Sequence, residues 1–553
     1  MAAQPKADCP GRQPLTKRRA GAFDAIVVGA GHNGLTAAAT LARAGVRTLV
    51  LERRERVGGA CVTEELWPGY RVSRAAYVAG LLRPVVLREL GLPARGLRLL
   101  PRTPASFTPL PDGPGLLLGS DQAASCRSIQ RFSKRDAARY PDYEGMLDRA
   151  ARVAEPLLDA PPLDPARPHW RDLPPLLRAL PAAWRMRKDL AQIASLLLGP
   201  ARGALEAWFE SEPLRATLAT DAVIGAWASP STPGTGYVLF HHVMGETGGA
   251  RGVWAYVEGG MGRLSELLAE AAREAGAEIR TSAPVKRIVV DGAYAGGVEL
   301  EDGTALEAQV VLSGADPQRT FLGLVGREQL PEGFARAVEG IDFRSPVAKI
   351  NVALERLPVF RGCAPRAEGL PGPEHRGTIH IGALDLDALE RSFEAAGRGE
   401  LPDRPMIELT LPSVLDPTLA PEGRHVASLF VQHVPYRLRG GSWEGAREQL
   451  ADLVSALVDE VAPGFSDSVL HREVLAPPDL ERVFGLSGGN IFHGAMTLDR
   501  LAFLRPAPGW ARYRTPLTGL YLCGAGTHPG GGVMGACGRN AARAVLQDLA
   551  RAG

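Results

Sequence analysis

Six residues near the amino terminus, Gly29-Ala30-Gly31-His32-Asn33-Gly34, have the spacing of a turn that can hold a pyrophosphate. In such a turn Gly29 permits the tight bend and Gly31 leaves room for a phosphate against the backbone. Gly34 lets the following helix close on the preceding strand. The first N–H groups of that helix face the phosphate charge. Glycine makes up 64 of 553 residues, so roughly one match to this spacing is due by chance. A second match, Gly530, Gly532 and Gly535, does occur, so context has to separate the two.

Context favours the first. Ala25–Val28 is a short apolar run, read as a buried strand, and Leu35–Arg43 is rich in helix formers and stops at Gly45. Val46–Leu51 reads as a second strand, so the segment opens a βαβ unit and a parallel sheet. Glu52 closes that strand, where a carboxylate can accept hydrogen bonds from both ribose hydroxyls of an adenosine. The second match has no following strand or acid.

The turn alone does not choose between NAD and FAD. Arg56-Val57-Gly58-Gly59 lets the chain wrap a cofactor that extends past the pyrophosphate. Val285 lies in a strand where a backbone pair could meet an adenine edge. Leu522-Cys523-Gly524-Ala525-Gly526 leads through further glycines into a terminal helix read over Val533–Ala550. A helix N-terminus aimed at a flavin's N1–C2=O edge would stabilise the reduced ring, by about 0.3–1 kcal/mol or up to ~2 when partly buried. These features favour FAD. An NAD-dependent dehydrogenase is the rival reading, and it predicts nicotinamide binding without flavin.

Composition narrows the class. A chain of 553 residues exceeds one hydrophobic core, so two or more domains are expected. Basic and acidic residues number 63 and 61, which argues against a whole-surface nucleic-acid binder. Six scattered cysteines (Cys9, Cys61, Cys126, Cys363, Cys523, Cys537) form no dithiol motif, and no Cys/His set has metal-ligand spacing. A disulfide relay and a metal centre therefore have no support. No apolar run approaches the ~18 residues of a membrane span. Residues 1–22 carry five basic residues against Asp8 and read either as a transit peptide or as a disordered basic tail.

Two further βα-like segments follow, separated by longer stretches. Gly260-Met261-Gly262 precedes a helix over Leu264–Ala275. Strands are read over Val285–Val290, Gly297–Leu300 and Ala305–Gln309, with Asp302-Gly303 as a hairpin turn, and over Val310–Ser313. Ala348–Leu354, His425–Gln432 and Leu520–Cys523 are strands, and Trp443–Val461 is a helix. Leu173–Leu198 mixes leucines and Trp184 with Arg178, Arg185, Arg187 and Lys188, which suits either an ordinary surface helix or one lying on a membrane.

Taken in order, VVGAGHNGLTAAATL, LERRERVGGACVTEE, WFESEPLRATLATDAVIGA, YVEGGMGRLSE, SPVAKINVALERLP, PPDLERVFGLSGGNIFHGAM and GLYLCGAGTHPGGGVMGACGRNAA resemble the carotenoid/retinoid oxidoreductase family, the phytoene desaturase-like flavoproteins. The resemblance runs from Phe23 to Leu549. It implies an α/β fold: a glutathione-reductase-type FAD/NAD(P)-binding Rossmann-like domain with a mixed α+β substrate domain. The FAD domain is expected over residues 23–75, 253–318 and 484–553, and the substrate or lid domain over 76–252 and 319–483. The expected FAD contacts are Val28, Gly29, Ala30, Gly31, His32, Asn33, Gly34, Glu52, Arg53, Gly58, Gly59, Ala60, Val285, Gly524, Ala525, Gly526, Gly532, Val533 and Met534. Many relatives carry an acid where Ala525 stands, so one polar contact to the cofactor's linker is missing here. The resemblance also implies the mitochondrial matrix, peripheral contact with the inner membrane, and a respiratory-chain subunit as partner.

The expected chemistry is hydride transfer from a hydrophobic small molecule to the flavin, as in a desaturase or oxidase, because the cofactor carries the reaction and the protein positions the substrate. The alternative is a flavin-bound mitochondrial regulator or interaction protein with little or no turnover. Two catalytic candidates emerge. Lys349, inside an apolar strand, either sits near flavin N5 and bonds a water, as a lysine does in related amine oxidases, or faces solvent from a strand edge. His528, in the glycine-rich turn, either touches the ring or substrate or is a structural turn histidine. His241 and His242 read as packing residues on a helix. Trp254 and Tyr256 face either the flavin or the core.

Overall fold

The computed structural model describes residues 15, 23–111, 113–165, 168, 170–247, 250–363 and 370–552. The basic leader, apart from Leu15, lies outside the described residues.

A five-stranded sheet is built in the order Glu278–Arg280, Thr48–Leu51, Ala25–Val28, Val310–Ser313, Leu520–Leu522. Every neighbour is parallel, with Ala25 opposite both Thr48 and Val310. A parallel sheet is covered on both faces, so its central strands must be apolar throughout rather than alternating. AIVV and VVLS meet that demand and are buried along their length. Helices His32–Arg43, Met261–Glu274 and Ala536–Ala552 share one core with this sheet. A three-stranded antiparallel sheet, Val285–Asp291, Tyr294–Leu300 and Ala305–Glu307, shares a core on the other face. Its last hairpin turns at Asp302-Gly303, with Gly303 at φ +86°.

Boundaries moved where glycine geometry intervened. The first helix begins at His32, because extended Gly31 is its cap and Asn33 and Gly34 join the first turn. The last helix begins at Ala536, not Val533, because Gly532 and Gly535 take φ +112° and +72°. Edge strand Glu278–Arg280 was not legible, since three residues with two charges show no apolar pattern.

The second large sheet is seven-stranded and mixed, in the order Val469–Leu475, Val347–Leu354, His425–Gln432, Met406–Thr410, Thr378–Ile381, Ser106–Thr108, Leu116–Leu118. Strand Val347–Leu354 is flanked on both sides and buried end to end. Side chains alternate across a strand. Ala348, Ile350 and Val352 join a core with helix Trp443–Val461, while Lys349 on the opposite face lines an internal cavity. A solvent-facing lysine at a strand edge is therefore ruled out.

The stretch read as Leu173–Leu198 forms two helices, Leu173–Met186 and Leu190–Leu198. No helix among the described residues is long and apolar enough to cross a membrane.

Candidate active site

The glycine turn is shaped for a phosphate. Gly29 bends at φ +95° and donates its N–H to Leu51 O at 2.8 Å. A Cβ on Gly31 would point into open space, whereas one on Gly34 would stand 2.1 Å from Gly29 O. Hydrogen alone fits at Gly34, and helix and strand close on each other there. Glu52 is 5% exposed. Its Oε2 accepts from Ala30 N–H and its Oε1 from Arg54 N–H, both at 2.9 Å. Each oxygen has a second lone pair left for a ribose hydroxyl. The chain before Val285 runs beside this acid, since Ala283 N–H donates to Glu52 O at 2.9 Å.

Gly58 and Gly59 fold back onto the turn. Gly58 N–H donates to Ala30 O at 2.8 Å, and Gly31 and Gly58 bridge in parallel. The C-terminal glycines arrive from the far end of the chain. Cys523 N–H donates to Ser313 O at 2.8 Å, which anchors the strand before Gly524. His32, Ala60, Ala525, Gly532 and Val533 then line one cavity of about 700 Å³. Burial and the nearby His493 push the His32 imidazole down to about 4, so it is neutral. Open space over Gly31, a pinned carboxylate and a continuous cavity leading to the C-terminal glycines fit an extended dinucleotide.

Two of the expected cofactor contacts, Arg53 and Met534, and the catalytic candidate His528 have partners within the protein. The Arg53 guanidinium turns to Val483 O at 2.7 Å and Arg482 O at 3.2 Å, tying this segment to helix Pro477–Phe484. Met534 is buried and its carbonyl accepts from Arg83 N–H at 3.1 Å. His528 does not line the cavity, and its Nε2 meets Leu157 O at 3.0 Å. Burial pushes its imidazole down to about 4, so it holds the turn as a neutral ring. His241 and His242, read as packing residues, bond to Gly531 O and to Asp221 O and Val238 O, but both also line the cavity. Tyr256 is buried, and Trp254 lines the cavity.

Sequence reasoning missed Arg505. Its guanidinium is 2% exposed and donates to the carbonyls of Ala525, Phe492, Gly494 and Ala495. It thus clamps the turn at Ala525 from behind. Burial pulls its value down to about 10, and it remains charged at neutral pH. An isolated arginine in a loop carries no periodic signal, so nothing in the sequence singled it out.

Beyond the cofactor side, the cavity holds Tyr77, Arg102, Asp221, Lys349, His380 and Glu408. Tyr77 donates to Glu408 Oε2 at 2.7 Å. Lys349 is 2% exposed, and its Nζ lies 3.5 Å from the centre of the Tyr77 ring with no hydrogen-bond acceptor. Burial holds that amine well below the usual lysine range. A buried amine held below its ordinary range can bind and reorient a water or take up a proton at Nζ.

An α/β fold with this nucleotide turn and this cavity defines an FAD-dependent oxidoreductase. Residues 27–82 match the NAD(P)-binding Rossmann-like domain, and residues 171–546 match the flavin containing amine oxidoreductase family. The chain belongs to that family. It is 50% identical to pyridine nucleotide-disulfide oxidoreductase domain-containing protein 2 of Mus musculus, over 95% of this chain and 94% of that one. It is 27% identical to phytoene desaturase (lycopene-forming) of Pseudescherichia vulneris, covering 95% and 99%. A structure of putrescine oxidase bound to putrescine superposes with TM-score 0.60 at 16% identity, covering 96% of this chain and 99% of that one. The resemblance to phytoene desaturase-like flavoproteins holds. Among the described residues Cys61, Cys126, Cys523 and Cys537 are free thiols, and burial pushes Cys61 up to about 11.

Proposed function

We propose that the chain oxidises a largely hydrophobic small molecule in the manner of a desaturase or oxidase, with FAD as the hydride acceptor. One observation carries the reading. The cavity that begins at His32, Ala60 and Gly532 continues without interruption to Lys349 and between the apolar side chains of Leu81, Val243, Phe430 and Leu480. Bound FAD supplies the redox chemistry, and the chain supplies orientation, dryness and a proton acceptor. His32, Ala60 and Val533 border the cofactor end. Lys349 Nζ holds or moves a proton at the substrate end, and the aliphatic walls exclude water. Purified protein is expected to show a flavin band near ~450 nm that bleaches when mitochondrial lipid extract is added without oxygen. A coloured protein that no fraction bleaches would leave a flavin-bound regulator instead of an enzyme.

The same reading places the protein in the mitochondrial matrix against the inner membrane, with a respiratory-chain subunit as neighbour. The basic leader and the family resemblance support the compartment. A full-length tagged chain recovered outside the mitochondrial fraction would remove it. The membrane contact draws support from helices Leu173–Met186 and Leu190–Leu198 and from Trp170 just before them. Trp170, Leu177, Trp184 and Leu198 are 68%, 62%, 66% and 63% exposed, beside Arg178, Arg185 and Lys188. Exposed apolar side chains ringed by cations suit an anionic bilayer surface. The protein is expected to sediment with phosphatidylcholine vesicles containing cardiolipin, and much less with phosphatidylcholine alone. Leu177→Asp with Trp184→Asp should abolish sedimentation while the flavin band is kept. Equal sedimentation of the double variant would end the membrane reading.

A further inference from the structure

We propose that the cavity seats an amphipathic substrate by a carboxylate, with the Arg102 guanidinium as the anion's partner. The proposal rests on the cavity being the site of an FAD-dependent reaction, and it adds what the substrate must carry.

Arg102 follows strand Leu99–Pro101, and its backbone N–H is held by Trp254 O at 3.0 Å. The residue is 4% exposed and lines the cavity. Its Nη1 donates to Thr378 Oγ1 at 2.6 Å, and the guanidinium sits 5.5 Å from the centre of the Tyr256 ring. Its buried Nε has no acceptor. No carboxylate of the described residues comes within the 4.0 Å of an ion pair. Other deep arginines are matched. Arg539 pairs with Glu89, Arg83 with Asp159, and Arg505 is ringed by carbonyls. Arg102 is therefore a buried, permanently charged group with one hydroxyl for company. A guanidinium does not shed its proton, so an isolated buried one is costly until an anion arrives.

The neighbouring groups do not neutralise it. The Glu408 carboxyl already accepts from Tyr77, and burial raises its value. Burial likewise pushes Asp221, on helix Glu212–Val223, up to about 7, and it drives His380 down to about 3. The polar end of the cavity thus gathers the Arg102 guanidinium, the Asp221 and Glu408 carboxyls, both shifted upward by burial, and the Lys349 amine, shifted downward by burial. That set selects among anions. A phosphate dianion would crowd two carboxyls with more charge than one arginine balances. A carboxylate brings one charge and two coplanar acceptors, which match the guanidinium fork. An ammonium group would be repelled by the Arg102 guanidinium. The apolar walls then take the rest of the molecule toward the cofactor side.

The test uses flavin-loaded protein and three probes of equal chain length: decanoate, decanol and decylamine. Binding is read from the change in the flavin spectrum. Decanoate should bind most tightly of the three. Arg102→Met should weaken decanoate by roughly 30-fold or more, as expected when a buried charge loses its partner, while decanol changes less than about threefold. Arg102→Lys should fall between. Where Arg102→Met does not retain flavin, Arg102→Lys and Thr378→Val decide. A loss confined to decanoate supports the proposal, and equal losses for all probes overturn it. Tighter binding of decylamine, or unchanged decanoate affinity in a coloured Arg102→Met protein, overturns the carboxylate assignment and leaves the FAD reading standing. A colourless wild-type protein overturns both.

Discussion

Arg505→Met is expected to cost roughly 3–5 kcal/mol of stability and to release most of the flavin, the largest effect of any single change outside the glycines. Five carbonyls, those of Ala525, Phe492, Gly494, Ala495 and Arg500, lose their donor in that variant. Each buried acceptor left without a partner costs about 1–3 kcal/mol before the loop relaxes, so the total stays in that range only if the loop moves. The loop that moves contains Ala525, which borders the cavity. Loss of stability and loss of cofactor are thus one event. Urea unfolding followed by tryptophan emission would measure the first, and the ratio of visible to protein absorbance the second. Lysine at 505 keeps the charge but not the planar fork, so Arg505→Lys should rescue only part. A variant within about 1 kcal/mol of wild type that keeps its colour would show that the clamp is incidental.

Lys349→Met is expected to do the reverse to stability and to damage turnover. The wild-type amine is buried with no acceptor, so its folded value lies well below its unfolded value of about 10.4. Between those two values the unfolded chain binds the extra proton. Stability therefore rises with pH across that window, and below it the full penalty is present. Each unit of depression is worth about 1.4 kcal/mol. Methionine fills similar volume with no charge to desolvate, so Lys349→Met should unfold at higher urea near neutral pH. It should also lack the alkaline rise expected of wild type. Glu408 and Asp221 are shifted upward and act in the opposite direction, so the slope is read on the alkaline side of the Asp221 value of about 7, once that carboxyl has lost its proton. Removal of a proton acceptor should slow flavin reduction by about 10²-fold or more. A variant that reduces flavin at the wild-type rate would strip Lys349 of any catalytic part, whatever its stability.

Local chemistry made much of this protein readable. Buried parallel strands must be continuous apolar runs, so Ala25–Val28 and Val310–Ser313 declared themselves. The turn at Gly29–Gly34 needs hydrogen where a Cβ would strike Gly29 O, and an acid at Glu52 closes the next strand. Those demands act within one βαβ unit, and the residues that meet them stand at set spacing. Edges and helix starts were less legible. Glu278–Arg280 has too few residues to show a period, and Ala536 begins its helix late because two glycines upstream take positive φ.

Residue order alone determined the nucleotide turn, the cofactor class and the parallel sheet, because each follows from backbone geometry over a few neighbouring positions. Only the tertiary structure decided which polar side chains share the cavity. Arg102, Asp221, Lys349 and Glu408 come from four separate elements, and whether each is paired, neutral or stranded depends on what burial brings beside it. Arg505 gained its role and His528 lost its candidacy for the same reason. A charge in a loop or a ring in a turn has no meaning until its neighbours in space, rather than in sequence, supply or withhold a partner.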